Sequence, residues 1–202
     1  MSIGPYSVDE FVERVVDFHG YAAPGVIIGG YMVALAQRNL TQGVLYDAVS
    51  ETRACLPDAI QLLTPCTVGN GWLKVLNLGR YALSLYDKRS GEGVRVHLDG
   101  KRLDAWPAIK VWFLCLNKKQ DQDSALLQEQ IREAGEGLCV VAPIRIAARF
   151  LGKQHKEKVD FCPMCGEAYP TCDGRICKGC QGQAPYEPLP STLGAINNYL
   201  KM

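Results

Sequence analysis

Residues 161–180 read FCPMCGEAYPTCDGRICKGC and contain two Cys-x-x-Cys pairs separated by eleven residues. Two thiolates with this spacing can bind one metal ion, and the glycine after the second cysteine allows the tight turn that such a pair needs. Four thiolates leave no coordination position open, so the pattern predicts a structural zinc ion rather than a catalytic one. The predicted ligands are Cys162, Cys165, Cys177 and Cys180.

Other chemistry is open to the same cysteines, which could act as redox pairs or hold an iron–sulfur cluster. Cys172 is the fifth cysteine of the segment and could replace one ligand, since it lies five residues before Cys177. Two symmetric pairs are the simpler choice, and we favour zinc. A small zinc finger is therefore expected at the C-terminal end of the sequence.

The composition describes an ordinary globular protein of 202 residues, with 48% hydrophobic residues, 21% charged residues and a formal charge of +1. No apolar run reaches the roughly 18 to 20 residues of a membrane-spanning helix, and MSIGPYSVDE lacks the features of a signal peptide. Nine cysteines suit a reducing cytoplasm, which is the expected location. The near-zero charge argues against nucleic acid as a partner.

The patterning of the chain predicts two domains. Residues 1–157 are expected to form an α+β core domain, and residues 158–202 a zinc-finger domain with a C-terminal tail. The polar run KQHKEK at 153–158 would link them. Apolar periodicity and turn residues predict a mostly antiparallel sheet with segregated helices. The predicted helices are 8–18 with a Ser7/Glu10 capping box, 24–37, 55–63, 104–117, 124–134 and 191–202, and the predicted strands are 44–49, 73–78, 81–86, 94–98 and 138–148.

Two stretches of the core carry side chains that packing alone does not require, FHGYAAPG at 18–25 and CLPDAIQLLTPCTVGN at 55–70. Together they supply an imidazole, a phenol, two thiols, a carboxylate and an amide near helix ends. A simpler interpretation makes His19 a helix cap and Asp58 a first-turn residue. Cys115 and Cys139, in contrast, lie in apolar runs and are expected to be small core residues.

The motifs FHGYAAPG, CLPDAIQ and CTVGN occur in this order, followed by LGRYAL and a cysteine-rich tail. In this the sequence resembles the FmdE-like family of formylmethanofuran dehydrogenase proteins over most of its length. The resemblance implies an α+β core, a treble-clef-like zinc finger and a homodimer. It also implies a core cleft that binds a small ligand or metal. The residues that match the family motifs or stand beside them are His19, Tyr21, Cys55, Asp58, Gln61, Cys66, Thr67 and Asn70.

This sequence also departs from the family motif. Tyr21 replaces a second histidine found in many relatives, Ala23 replaces a cysteine, and Arg80 stands where relatives tend to have lysine. A second metal in the core would lose ligands through these exchanges. The cleft is therefore expected to hold metal weakly or to be a metal-free pocket.

Three functional hypotheses follow. The first is an accessory or stand-alone protein like FmdE, able to associate with a molybdenum or tungsten oxidoreductase that acts on a one-carbon unit. The second is a zinc-finger regulatory or interaction protein that binds a protein partner or, with weaker support, nucleic acid. The third is an enzyme with a Cys66–His19 nucleophilic pair, which requires the two side chains to lie within hydrogen-bond distance.

Overall fold

The computed structural model describes residues 2–152 and 158–187. The chain divides into two compact units, residues 1–152 and 153–202. Most of the predicted linker at 153–158, with the predicted domain boundary at its end, falls outside the described residues. The predicted helix at 191–202 lies outside them entirely.

Five α-helices form in the first unit, and each begins where the sequence supplies a start signal. Ser7 and Glu10 make the predicted reciprocal capping box at the first helix. The next three helices have proline in the first turn, where no amide hydrogen is needed. The helices are α1 Val8–His19, α2 Pro24–Asn39, α3 Leu56–Leu63, α4 Pro107–Phe113 and α5 Ser124–Ala134.

Nine short strands complete the described structure. A short antiparallel pair, β1 with β2, precedes α1, and a central sheet has the order β4-β3-β5-β6-β7. All neighbours in that sheet are antiparallel except β3 and β4. The mixed α+β class with a mostly antiparallel sheet is confirmed. The strands are β1 Ser2–Ile3, β2 Tyr6–Ser7, β3 Tyr46–Ser50, β4 Leu73–Val75, β5 Ala82–Asp87, β6 Glu92–Leu98, β7 Cys139–Arg145, β8 Val159–Phe161 and β9 Ala168–Pro170.

Helix α2 is buried along most of its length and packs on the sheet and on α1 and α3. Gly29 and Gly30 allow this approach. A Cβ atom at Gly29 would lie 2.7 Å from Ala59 Cβ, and one at Gly30 would lie 2.4 Å from a ring carbon of Phe11. The helix therefore packs closely at this glycine pair, because neither position has room for a side chain.

The predicted continuous helix over residues 104–117 is wrong. A 3-10 turn at Gly100–Ala105 comes first, and α4 begins only at Pro107. The cause is Pro107, which starts a helix well but cannot continue one from the preceding turn.

The second unit is built around the hairpin of β8 and β9, in which Phe161 pairs with Ala168. A 3-10 turn at Thr171–Asp173 and a wide helical turn at Gly179–Gln183 follow. In both units, no helix of the described residues is long and apolar enough to cross a membrane.

Candidate zinc site and core cavity

Four sulfur atoms come together in the second unit. The Sγ atoms of Cys162, Cys165, Cys177 and Cys180 all lie within 4.8 Å of one another, and those of Cys165 and Cys177 are 3.7 Å apart. A tetrahedral zinc ion with Zn–S bonds of about 2.3 Å places its ligands about 3.8 Å apart. The four thiols therefore fit zinc in both number and spacing.

Backbone donors around these sulfurs also suit thiolates. The amide of Cys177 donates to Cys162 Sγ and the amide of Cys180 donates to Cys177 Sγ, both at 3.4 Å. Gly166 has φ +76°, which supports the predicted turn after the first pair. Cys172 is exposed and does not belong to the four-sulfur group. The zinc would be structural, because no coordination position is left for a substrate.

A His–Asp pair lies at the junction between α1 and α2. His19 ends α1, and its Nδ1 is 2.6 Å from Asp58 Oδ2 in the first turn of α3. The ring of Tyr21 lies against His19, with centroids 5.1 Å apart. Gly20, not His19, caps α1, since its amide donates to Val16 O. The simple interpretation of His19 as a helix cap is therefore wrong.

A cavity of about 620 Å³ is lined by Tyr21, whose ring contacts His19, and by Cys55, but not by His19 or Asp58 themselves. One wall is the chain from Tyr21 to Gly25, which enters α2, together with Cys55. The opposite wall comes from the ends of α4 and α5 and the connection between them. That wall was not anticipated from the sequence, and its members are Trp112, Cys115, Asn117, Gln122, Ser124, Leu127 and Gln128.

Cys55 occupies a crowded position between the two helices that meet at the cavity. Its backbone has φ +53°, and a Cβ atom at Gly25 would lie only 2.9 Å from its sulfur. Burial, reinforced by the nearby Asp58 carboxylate, raises the pKa of the Cys55 thiol. At neutral pH the group is therefore a protonated thiol and not an activated nucleophile.

Cys115 lies on the surface and not in the core, contrary to the prediction. It follows the C-terminus of α4 with φ +52°. Its amide donates to Trp112 O and the next amide, of Leu116, donates to Val111 O. This is a Schellman arrangement, which turns the chain away from the helix axis. The apolar run around Cys115 is thus a short helix and its exit rather than one buried segment. Cys139, by contrast, is buried as expected.

Cys66 is fully buried and lies beyond the C-terminal end of α3, whereas Asp58 is in the first turn of that helix. Its Sγ donates weakly to Tyr46 O at 3.6 Å, and burial raises the pKa of the thiol. The structure places Cys66 in the core and not beside His19. Cys66 follows Pro65 in the loop after α3, and this loop folds inward at Cys66.

Thr67, Asn70 and Gln61 stabilise the turn that follows α3. Asn70 Oδ1 accepts from the amide of Thr67, and Thr67 Oγ1 accepts from the amide of Asn70, each at 3.1 Å. Gln61 Oε1 accepts from the amide of Val68. Of the eight predicted cleft residues, the structure therefore brings together His19, Tyr21, Cys55 and Asp58, and it places the other four at this turn or in the core.

Comparison with known proteins gives the family. Residues 18–145 match the family model described as "FmdE, Molybdenum formylmethanofuran dehydrogenase operon". The chain belongs to the FmdE family. Residues 153–187 match the FmdE treble clef zinc finger, in agreement with the four-cysteine site.

A solved FmdE-like structure supports the same conclusion. It is the crystal structure of a tungsten formylmethanofuran dehydrogenase FmdE-like protein from Syntrophus aciditrophicus, with a TM-score of 0.84 and 52% sequence identity. The alignment covers 93% of this FmdE-family chain and 100% of that one. The resemblance seen in the motifs is therefore confirmed at the level of fold.

Two curated relatives match at lower identity. A probable S-adenosyl-L-methionine-binding protein of Archaeoglobus fulgidus is 28% identical over 192 residues, which is 84% of this chain and 52% of that protein. The NAD-capped RNA hydrolase NudC of Edwardsiella ictaluri is 30% identical over 135 residues, which is 63% of this chain and 49% of that protein. The chain spans about half the length of these relatives.

Proposed function

We propose that this protein is an accessory or stand-alone member of the FmdE family that binds a small organic ligand in the core cavity. The observation that carries the proposal is the cavity of about 620 Å³ lined by Tyr21, Cys55 and the residues at the facing ends of α4 and α5. Ligand sites are commonly concave spaces of about 300 to 1,000 Å³ with mostly apolar walls and a few fixed polar groups. This cavity has those properties.

His19 and Asp58 form an oriented polar pair that contacts the cavity-lining residue Tyr21 through the His19 ring. When the imidazole is neutral, Nδ1–H donates to the Asp58 carboxylate and Nε2 is left as an acceptor. Such a nitrogen can receive a hydrogen bond or a proton from a ligand. The Cys66–His19 nucleophilic pair is not included in the proposal, because Cys66 is buried beyond the other end of α3.

A second metal in the core is not included either. Among the described residues, the four zinc-finger cysteines form the single group of three or more Cys, His, Asp or Glu side chains spaced for a metal ion. His19 and Asp58 thus make a pair without a third ligand of these types. Neither Tyr21 nor Ala23 supplies a further ligand of these types.

The proposal is tested by thermal shift against a small-molecule library, with variants that fill the cavity. Ala22 lines the cavity, so Ala22→Phe should block it, whereas Ala125→Phe changes an exposed residue of α5 outside the lining. We expect ligands that raise the melting temperature of the wild type and of Ala125→Phe but not of Ala22→Phe. Ligands that stabilise all three proteins equally, or a library without a single ligand, would refute the cavity as a binding site.

The zinc finger suits a second role, in assembly. Val159, Phe161, Met164 and Tyr186 are large apolar side chains of this unit that are more than half exposed. Such residues commonly mark protein interaction sites. We propose that the finger mediates a homodimer or contact with a molybdenum or tungsten oxidoreductase, and we rank nucleic acid below both. Light scattering should give the mass of a dimer for the wild type and for Tyr6→Ser, and a lower mass for Phe161→Ser. A monomeric wild type would refute the homodimer.

A further inference from the structure

Within the described residues, the walls of the core cavity carry no ionised side chain. Two of the lining residues are aromatic, three have carboxamide side chains, two are cysteines, and the rest are a serine or apolar residues. Burial holds the Cys55 thiol in its neutral form, which keeps that wall uncharged as well. A ligand group with a formal charge would lose its hydration here without gaining a partner of opposite charge. The part of the ligand that enters should therefore be neutral.

The aromatic residues point to a flat ligand. Trp112 is partly buried at the end of α4, and both Trp112 and Tyr21 line the cavity. Flat π-systems stack on such side chains, and stacking on an aromatic residue contributes about 1–3 kcal/mol per nucleic acid base. A flat heterocyclic ring in the cavity would stack on these two aromatic side chains.

The carboxamides suit the edge of such a ring. Gln128 Nε2 donates to Ala22 O at 3.1 Å, and Gln122 Nε2 donates to Asn117 O at 3.3 Å, so both side chains are held in place. Carboxamides offer a donor and an acceptor side by side and pair well with adenine, whereas guanine is typically bound by arginine or lysine. No cation lines the cavity within the described residues. Adenine is therefore favoured over guanine, and a nucleoside over a nucleotide.

We propose that the cavity binds the adenosine group of a nucleoside or adenosyl compound, with the base between Trp112 and Tyr21 and its polar edge on the carboxamides of Gln122 and Gln128. This rests on the proposed function, since it names the ligand class of the same cavity. The Archaeoglobus relative, named a probable S-adenosyl-L-methionine-binding protein, is compatible with it. Free adenosine and S-adenosylmethionine are the two sources to be distinguished.

Cys115 provides a built-in reporter, because it is exposed and lines the cavity. The rate of Cys115 alkylation by iodoacetamide is measured by peptide mass spectrometry on the full-length zinc-loaded protein. The probes are adenosine, S-adenosylmethionine, AMP, guanosine and uridine. We expect adenosine to slow alkylation, and S-adenosylmethionine, which carries a sulfonium, an ammonium and a carboxylate, to need a higher concentration because these charges find no counter-charge among the described lining residues. AMP should need a concentration roughly tenfold higher, since its phosphate finds no cation among the described lining residues.

Variants test the contacts. Gln128→Ala should weaken adenosine protection roughly tenfold, as expected for loss of a ligand hydrogen bond, whereas Gln42→Ala, at an exposed position outside the cavity, should leave it unchanged. Gln122→Ala is the second carboxamide variant, in case Gln128→Ala perturbs the loop at Ala22. Equal protection by uridine, or protection that neither variant changes, would overturn the adenine assignment.

The outcomes separate this inference from the broader proposal. Protection by a compound without adenine, lost in Ala22→Phe, would overturn the adenine assignment while supporting a ligand site in the cavity. No protection by any library compound would overturn both. Protection by adenosine that Ala22→Phe abolishes and Ala125→Phe retains would support both.

Discussion

The substitution Gly25→Ala tests whether the side chain of Cys55 leaves room for nothing larger than glycine at position 25. The added Cβ atom would lie 2.8 Å from Cys55 Cβ, 2.9 Å from Cys55 Sγ and 3.1 Å from the Tyr81 hydroxyl oxygen. Overpacking of this kind costs about 1–3 kcal/mol. Alanine is favoured over glycine within helices by up to about 1 kcal/mol. The expected net loss in the free energy of unfolding is therefore about 0–2 kcal/mol.

The second variant of the double-mutant cycle is Cys55→Gly, which removes the two closest of these three atoms, Cβ and Sγ of Cys55, and suits the positive φ of this position. In that background Gly25→Ala should be neutral or stabilising, because its helix propensity remains while the contact with Cys55 is gone. The expected coupling between the two sites is about 2 kcal/mol. Cys55→Ala is the matched control. It removes the sulfur but keeps the Cβ contact at 2.8 Å, so it should relieve the clash only in part.

Urea unfolding followed by tryptophan fluorescence is the assay. All three tryptophans, at positions 72, 106 and 112, lie in the first unit, so the signal does not include unfolding of the zinc finger. Two results would refute the reasoning. One is a Gly25→Ala protein more stable than the wild type, and the other is a cycle that is additive within about 0.5 kcal/mol.

Three further predictions follow from single sites. The purified protein should contain about one zinc ion per chain by plasma mass spectrometry. Cys177→Ser should lose this zinc and Cys172→Ser should retain it. The opposite pattern would show that Cys172 is a ligand in place of Cys177. Arg95 chiefly holds the pKa of Glu51 below its ordinary value of 4.5. The ion pair between Glu51 and Arg95 should therefore contribute its full stability above pH 4.5, and this contribution should disappear as the pH falls through the folded-state pKa of Glu51. Glu51→Gln should accordingly lower stability at pH 7 by about 1–3 kcal/mol, with a gap from wild type that narrows in acid, and a constant gap would contradict this. Cys115→Gly should stabilise the first unit by about 1 kcal/mol in urea unfolding, because glycine is preferred at this position of a Schellman motif, and a loss of stability would argue against that geometry.

Local signals were sufficient to predict most of the fold. The capping box at Ser7 and the proline at position 24 indicated the starts of α1 and α2, because a helix start depends on a few neighbouring residues. The two Cys-x-x-Cys pairs indicated the zinc finger for the same reason. The helix over 104–117 failed because periodicity does not show where Pro107 interrupts it.

Only the part of the cavity that lies in the two motif stretches could be predicted from the sequence. His19, Tyr21, Cys55 and Asp58 lie in two motif stretches, and the structure joins them. The opposite wall belongs to α4 and α5, whose residues are far away in sequence and carry no recognisable pattern. Their proximity depends on how the helices pack on the sheet, which no local feature encodes. The signal that could have helped is the amide-rich connection NKKQDQDS at 117–124, next to an unexplained cysteine.

Backbone conformation provides a separate argument for the importance of the cavity. Among the described residues, Cys55 and Cys115 are the two non-glycine residues with positive φ, and both line this cavity. Each conformation costs of order 1–3 kcal/mol relative to a relaxed backbone, and glycine would adopt it without this cost. Backbone energetics therefore favour glycine at both positions. Strained residues of this kind concentrate at ligand sites, so the reason for cysteine at these two turns is to be sought in what the cavity holds.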